Sequence, residues 1–265
     1  MDDSASRIRY PAVAGMFYPD DANELRSLLE QYLNTDCSME TPPRAIIAPH
    51  AGYIYSGPVA GSAYACLGRL HDQIHRVVLL GPSHRVAFRG IAASGADYFA
   101  TPLGNIPIDQ QANAAILALP AVQILDKAHL YEHSLEVHLP FLQYCLDDFK
   151  LVPLVVGEAQ PEDVATVLET LWHADDTLIV ISSDLSHYHD YATAQQMDNR
   201  TSNAIVNMRI DQINYEDACG RNPVNGLLSF ARKHDLHGAI LDLRNSGDTA
   251  GPRDQVVGYG AYAFC

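Results

Sequence analysis

The sequence predicts a single α/β domain over residues 1–265, with a mostly parallel central sheet flanked by helices. Short apolar runs bounded by Pro, Gly or charged residues alternate along the chain with segments of helical periodicity. This alternation is typical of a parallel sheet covered on both faces. The 265 residues suit one domain of this class, and the sequence has no fixed-period repeat and no Pro-, Gly- or Ser-rich linker between domains.

The strands are predicted from the apolar runs. The segment DTLIVIS is the clearest buried strand, because a continuous apolar run of strand length is flanked by polar residues. The segments RAIIAP and RVVLL repeat the pattern earlier in the chain. The predicted strands are 44–49, 76–80, 90–96, 150–156, 176–182, 239–243 and 255–264.

The helices are predicted from apolar residues at helical spacing. The first follows Pro19 and two aspartates, and another opens with Pro161 and two acidic residues, which are typical helix starts. Pro140 is expected to kink or restart the segment that contains it. The predicted helices are 21–33, 56–70, 110–119, 133–146, 161–173, 192–208 and 223–235, with a loop at 34–43 and a polar turn at 183–190.

Charge and cysteine content limit the partners and the compartment. A formal net charge of −15 disfavours nucleic acid and anionic membranes as partners, because binding them relies on surplus Lys and Arg. The five cysteines are odd in number and too scattered for a CxxC zinc site or a disulfide framework, which favours a reducing compartment. The start MDDSASRIRY has no apolar core, and no apolar stretch approaches the ~20 residues of a membrane span. We therefore expect a cytoplasmic protein.

Polar residues directly after the predicted strands are the first candidates for a functional site. His50 and His84 each follow one apolar strand, and Asp184 with His187 follows a third. In open α/β sheets the functional crevice lies beyond the carboxyl ends of the strands. A lone histidine in such a place is often a cap or a surface residue, but several strand ends carrying histidine predict a shared site. Imidazole binds Zn, Fe and Cu and also serves as an acid or base.

Asp184 and His187 are candidate catalytic residues. They are three positions apart in a polar turn, so the carboxylate could orient the imidazole or accept its proton. The alternative is that Asp184 caps the following helix while His187 faces water.

Cys219 is a candidate third metal ligand. It precedes a predicted helix whose N-terminal field, together with Arg221, would favour a thiolate. With His50 and His84 it would form a set of two imidazoles and one thiolate that can hold Fe, Cu or Zn and leave positions open. A buried, unreactive cysteine is the alternative.

Two further residues are candidates for substrate contact. The segment 132–138 resembles the HExxH motif only superficially, since His133 and His138 are five positions apart and that motif needs four. His133 and Glu136 share a helix face, so His133 is a candidate substrate contact. Tyr53 follows His50 and could form the wall of an aromatic pocket, although tyrosines in turns often only pack.

Several longer motifs identify a family. They are YPAVAGMFYP at 10–19, APHAGYIYSG at 48–57, LLGPSH at 79–84, EHSLEVHLPFLQ at 132–143, SSDLSHY at 182–188, CGRNPV at 219–224 and the C-terminal NSGDTAG and VVGYGAYAF. With these motifs, in this order, the chain resembles the Memo family over almost its whole length. The resemblance implies a fold like that of the class III extradiol dioxygenases, which hold non-haem iron with two histidines and a carboxylate.

The resemblance also implies residue roles. In Memo-like proteins a cysteine replaces the carboxylate ligand, so His50, His84 and Cys219 match the metal ligands, and Asp184 with His187 matches the nearby polar pair. The metal implied is Fe(II), with Cu or Zn as alternatives. The implied function is metal-dependent redox or dioxygenase-like chemistry on an unidentified substrate, and the expected partner is a small-molecule or peptide ligand. A non-catalytic module that binds such a ligand is the alternative, and a zinc hydrolase is a third hypothesis.

Overall fold

A computed structural model describes residues 6–37, 39–172 and 176–265. Its strands are β1 (Ile8–Arg9), β2 (Ala45–Ala48), β3 (Arg76–Pro82), β4 (Ile91–Ala93), β5 (Tyr98–Thr101), β6 (Gly104–Pro107), β7 (Val122–Ile124), β8 (Lys150–Val156), β9 (Thr177–Ser182), β10 (His187–His189), β11 (Gly238–Asn245) and β12 (Val256–Phe264). Its α-helices are α1 (Ala22–Leu33), α2 (Tyr53–Tyr64), α3 (Gln110–Ile116), α4 (Asp126–Leu130), α5 (Leu139–Cys145), α6 (Pro161–Leu171), α7 (Tyr191–Val206) and α8 (Arg221–Lys233).

The main sheet has the order β10–β12–β2–β9–β3–β8–β4–β7. Strand β10 pairs with residues 256–257 of β12, and β11 pairs with residues 258–264 of the same strand. Strands β2, β9, β3 and β8 run parallel at its centre, while β12 and β4 join them antiparallel. Strands β1, β5 and β6 form a separate small sheet. The parallel centre matters for function, because it brings the carboxyl ends of β2, β9 and β3 to one edge.

The central strands are buried on both faces, as their unbroken apolar sequences predict. Along β9, Leu178 and Val180 pack on the side of α1, α2 and α5, whereas Ile179 and Ile181 pack on the side of α6, α7 and α8. Alternate side chains of a strand point to opposite faces, so the sheet separates two apolar clusters. Burial of both clusters stabilises the sheet and fixes the positions of its strand ends.

The structure confirms the α/β class and corrects several element boundaries. The predicted helix 56–70 begins earlier, at Tyr53, and continues as a 3₁₀ helix at Ala65–Leu70. The first part of the predicted helix 133–146 was wrong, because a 3₁₀ turn at Glu136–His138 precedes α5. Pro140 lies in the first turn of α5, where its missing N–H costs no hydrogen bond. Position 173, the last of the predicted helix 161–173, lies outside the described residues.

The cysteines differ from expectation. A disulfide joins Cys37, in the loop after α1, to Cys66, just after α2, although the scattered cysteines predicted no disulfide framework. Disulfides persist mainly in oxidising environments. The cysteines therefore no longer favour a reducing compartment. In the described parts of the chain, no helix combines the length and apolarity needed to cross a membrane.

Candidate metal centre

Three histidines meet at the carboxyl edge of the central strands. His50 follows β2, His84 follows β3, and His133 lies in the segment between α4 and α5. One ring nitrogen from each lies within 4.8 Å of the others. His50 is buried, His133 is half-buried and His84 is exposed, so the cluster opens to solvent on the His84 side. This arrangement can hold a metal ion.

The rings are packed closely enough to influence one another. His84 and His133 stack with centroids 4.8 Å apart, and His50 meets both edge-on. Burial and the neighbouring imidazoles lower the pKa of His50 well below its ordinary value. Burial and the charge of His84 lower the pKa of His133 to about 4. Both rings are therefore neutral at pH 7, which is the form that binds metals.

Glu132 holds His84 in place. Its Oε1 accepts a hydrogen bond from His84 Nδ1 at 2.9 Å, and its Oε2 accepts one from the backbone N–H of His84 at 2.6 Å. Burial acts to raise the pKa of Glu132, but the His84 side chain and the N–H groups of Ser134 and His84 outweigh it and lower the pKa to about 2. Glu132 is therefore a carboxylate at neutral pH, and it fixes both the ring and the backbone of His84.

His50 is fixed from two sides and contacts the predicted thiol ligand. Its Nδ1 lies 2.6 Å from Ser182 Oγ, and its backbone N–H donates to Asp184 Oδ1 at 2.7 Å. Its other ring nitrogen, Nε2, lies 3.3 Å from Cys219 Sγ. The structure therefore brings Cys219 against the buried member of the imidazole cluster.

Burial favours the thiol form of Cys219 in the metal-free protein, which agrees with the buried cysteine that the sequence also predicted and not with a thiolate. Burial and the charge of Asp184 raise the pKa of its thiol, and nearby N–H donors such as that of Asp184 only partly oppose them. Arg221 does not reach the thiol, because its guanidinium donates to the carbonyl of Ile213 and lies over the ring of Tyr215. The helix N-terminus alone does not overcome the cost of burying a thiolate.

Asp184 and His187 lie at the same edge, and each has a hydrogen-bond partner in the backbone. Asp184 binds the backbone of His50, while His187 Nδ1 lies 2.8 Å from the carbonyl of Leu185. Burial raises the pKa of Asp184 to about 6, against the charge of His187 and the N–H of His50. The alternative role as a helix cap belongs instead to Asp190, whose carboxylate accepts from the first N–H groups of α7.

The two predicted substrate contacts lie in different surroundings. His133 belongs to the imidazole cluster, and its other side packs on Phe17 with centroids 4.9 Å apart. Tyr53 is 2% exposed and lies in the core, where its hydroxyl donates to the carbonyl of Val137 at 2.7 Å. Tyr55, at 37% exposed, is the tyrosine of that segment that reaches the surface.

Sequence reasoning missed the contact between the N-terminal segment and the cluster. Glu136, 1% exposed, accepts hydrogen bonds from the N–H groups of Ala12 and Val13 and forms a buried ion pair with Arg9. These bonds hold the segment that carries Phe17 against the cluster. Glu136, three positions after His133, was the available signal, but its partners are more than a hundred positions away.

A cavity of about 530 Å³ has Cys219 in its wall. Cys219 and Ser83 lie in its wall next to the cluster, and Phe88, Val156 and Tyr215 contribute apolar and aromatic surface. Its volume is in the range of small-molecule sites. A ligand bound there would contact Cys219.

Comparison with known proteins identifies the family of this chain. The sequence pattern of the family described as Memo-like protein matches residues 9–263. The chain belongs to the Memo family. It is 38% identical over 264 residues to a MEMO1 family protein of Aquifex aeolicus, covering 96% of this chain and 97% of the relative. MEMO1 family proteins of Saccharolobus solfataricus and Sulfolobus acidocaldarius are each 33% identical, over 286 and 282 residues, covering 97% of this chain and 99% of each relative. Family membership together with the three-histidine cluster fits a metal site.

Proposed function

We propose that this Memo-family protein is a metal-dependent oxidoreductase whose non-haem iron is held by His50, His84 and Cys219. The observation that carries the proposal is the 3.3 Å approach of Cys219 Sγ to Nε2 of His50, the buried member of the three-imidazole cluster. Two imidazoles and one thiolate suit Fe, Cu and Zn and leave coordination positions open. Bound Fe(II) would supply one-electron chemistry and a place for substrate to bind.

The surrounding residues support chemistry on a bound small molecule or peptide. His133 stacks on His84 and closes one side of the cluster, where it can contact substrate. Asp184 can exchange a proton near neutral pH because burial raises its pKa to about 6. His187 is half-buried at the same edge and can pass a proton to solvent.

Metal analysis of anaerobically purified protein tests the proposal. Iron, copper and zinc are measured by mass spectrometry in wild type, in His50→Ala and in the control His129→Ala. His129 is a matched control because it is also 2% exposed but binds the carbonyl of Ala92, outside the cluster. We expect stoichiometric iron in wild type and in the control, and its loss in His50→Ala.

Three results would point elsewhere. Unchanged metal content in His50→Ala would refute the site. Zinc as the bound metal would favour a hydrolase over an oxidoreductase. Ligand binding that persists after chelation, measured by calorimetry, would favour a non-catalytic binding module, since such a module needs no metal.

A further inference from the structure

The direction of one hydrogen bond fixes where His50 carries its proton. Ser182 Oγ lies 2.6 Å from the backbone carbonyl of Ser134 and 2.6 Å from Nδ1 of His50. A carbonyl oxygen has no proton to give, so the single hydroxyl proton of Ser182 lies on its bond to Ser134. Ser182 must then accept from His50, which places the imidazole proton on Nδ1 and leaves a lone pair on Nε2.

Glu132 fixes the proton position of His84 in a similar way. Both oxygens of Glu132 accept backbone N–H groups, Oε1 from Ser134 at 3.0 Å and Oε2 from His84 at 2.6 Å. A carboxylate used in this way is an acceptor, so Nδ1 of His84, at 2.9 Å from Oε1, is a donor. His84 therefore also presents Nε2 with a free lone pair.

One short segment of chain controls both imidazoles. The N–H of Ser134 donates to Glu132, its carbonyl accepts from the hydroxyl of Ser182, and its own hydroxyl donates to the carbonyl of Pro82 at 2.8 Å. Gly81 allows this approach, because a Cβ at that position would lie 2.9 Å from Ser134 Oγ. The segment thus connects the ends of β3 and β9, from which His84 and the Ser182 hydroxyl project.

His133 has no such partner. Its Nδ1 is buried and makes no hydrogen bond to any of the described residues, and it lies 3.6 Å from Oε1 of Glu132, which is beyond hydrogen-bond distance. The three imidazoles of the cluster are therefore unequal. Two have their proton position fixed by the protein, and the third does not.

We infer that Glu132, Ser134 and Ser182 form an orienting network that locks His50 and His84 in the Nδ1–H form, so that both bind metal through Nε2. The network does not hold His133. Partners of this kind set the tautomer and ring orientation of a ligand histidine. Glu132 and Ser182 are positioning residues, since they act through the imidazoles. The inference rests on the proposed metal centre, but the proton positions can be measured without metal.

The first test is nitrogen-15 NMR of the histidine rings in metal-free protein at a pH where they are neutral. The expected result is a proton on Nδ1 of His50 and His84, with signals assigned from His50→Gln and His84→Gln. Ser182→Ala should shift or remove only the His50 N–H signal. Glu132→Gln should shift only the His84 N–H signal, because a neutral amide replaces the carboxylate that accepts from Nδ1. A purely structural role would not produce this selective pattern.

The second test is the affinity for Zn²⁺, measured by calorimetry. Loss of such a partner typically weakens metal binding by about 10- to 100-fold, and we expect this for Ser182→Ala and Glu132→Gln. Ser182→Thr keeps the hydroxyl and should restore affinity. Ser202→Ala is the matched control, because Ser202 is also 0% exposed. It lies on α7 and hydrogen-bonds Tyr262 on β12. This variant should lose stability without losing affinity.

The two proposals fail in different ways. A proton on Nε2 of either His50 or His84 in metal-free wild type would overturn the orienting network, whether or not metal binds. Unchanged ring signals in both Ser182→Ala and Glu132→Gln would also overturn it. The expected proton positions in a protein that binds no metal would refute the metal centre instead.

Discussion

The third metal ligand can be identified by counting protons. Cys219 lies beside Nε2 of His50, whereas His133 lies close to both His50 and His84, so each is a candidate for the third ligand. The thiol of Cys219 is protonated without metal, because burial and the charge of Asp184 raise its pKa. His133 is neutral, because burial and the charge of His84 lower its pKa to about 4. A metal bound through Cys219 must displace the thiol proton, whereas neutral His133 binds through the lone pair of its unprotonated ring nitrogen and releases no proton.

The two cases differ by a measurable amount. Between about pH 7.5 and 8.5, where imidazoles are generally neutral, binding through Cys219 should release about one proton per metal ion. The apparent affinity for Zn²⁺ then rises about tenfold per pH unit, which is about 1.4 kcal/mol. If imidazoles alone bind the metal, the affinity stays nearly constant over this range.

Calorimetry in two buffers with different ionisation enthalpies measures the released proton directly. Wild type and His133→Ala should both release it, and Cys219→Ala should bind more weakly and release none. A pH-independent affinity in wild type would refute the reasoning. So would an unchanged proton count in Cys219→Ala.

Three further predictions concern stability, measured by denaturant unfolding of metal-free protein. Glu136→Ala should cost about 3–5 kcal/mol, because it leaves Arg9 buried without its partner; a loss under 1 kcal/mol would contradict the buried pair. Asp184→Asn should stabilise the protein more at pH 8 than at pH 4. The folded pKa of about 6 lies above the unfolded value of 3.8, so ionisation weakens the wild-type fold as pH rises through this window. Cys37→Ser should cost about 3–4 kcal/mol, since the bond to Cys66 closes a loop with a separation of 29 residues. The same loss should appear when a reductant is added to wild type, and an unaffected wild type would contradict the disulfide.

Local sequence predicted the central strands of the sheet and the edge at which the site lies. Apolar runs without alternation are typical of strands buried on both faces, and β2, β3, β8 and β9 are such strands. Short strands such as β1 and β10, of two and three residues, carry too little pattern to be predicted. Because parallel strands end at one edge, the pattern also predicted that His50 and His84 meet, and their rings lie 5.1 Å apart.

The electrostatic state of the site was not predictable in the same way. A helix start next to Arg221 suggested a thiolate at Cys219, but the raised pKa depends on burial by chain segments distant in sequence. Asp184 was predicted as a partner for His187, and its carboxylate also accepts a hydrogen bond from the backbone of His50, 134 positions away, which the sequence does not indicate. Burial depends on the whole fold, so the charge of a buried group cannot be read from its neighbours in sequence.

The sequence by itself therefore determined the α/β class, the family and two of the imidazoles that meet at the strand ends, because periodicity and motif order are local properties of the chain. Tertiary structure alone decided that His133 joins them, that Cys37 pairs with Cys66, and that residues 132–134 reach across to Ser182. These contacts join positions far apart in sequence. Their formation depends on how the completed sheet brings its edges and loops together, and no local pattern records that.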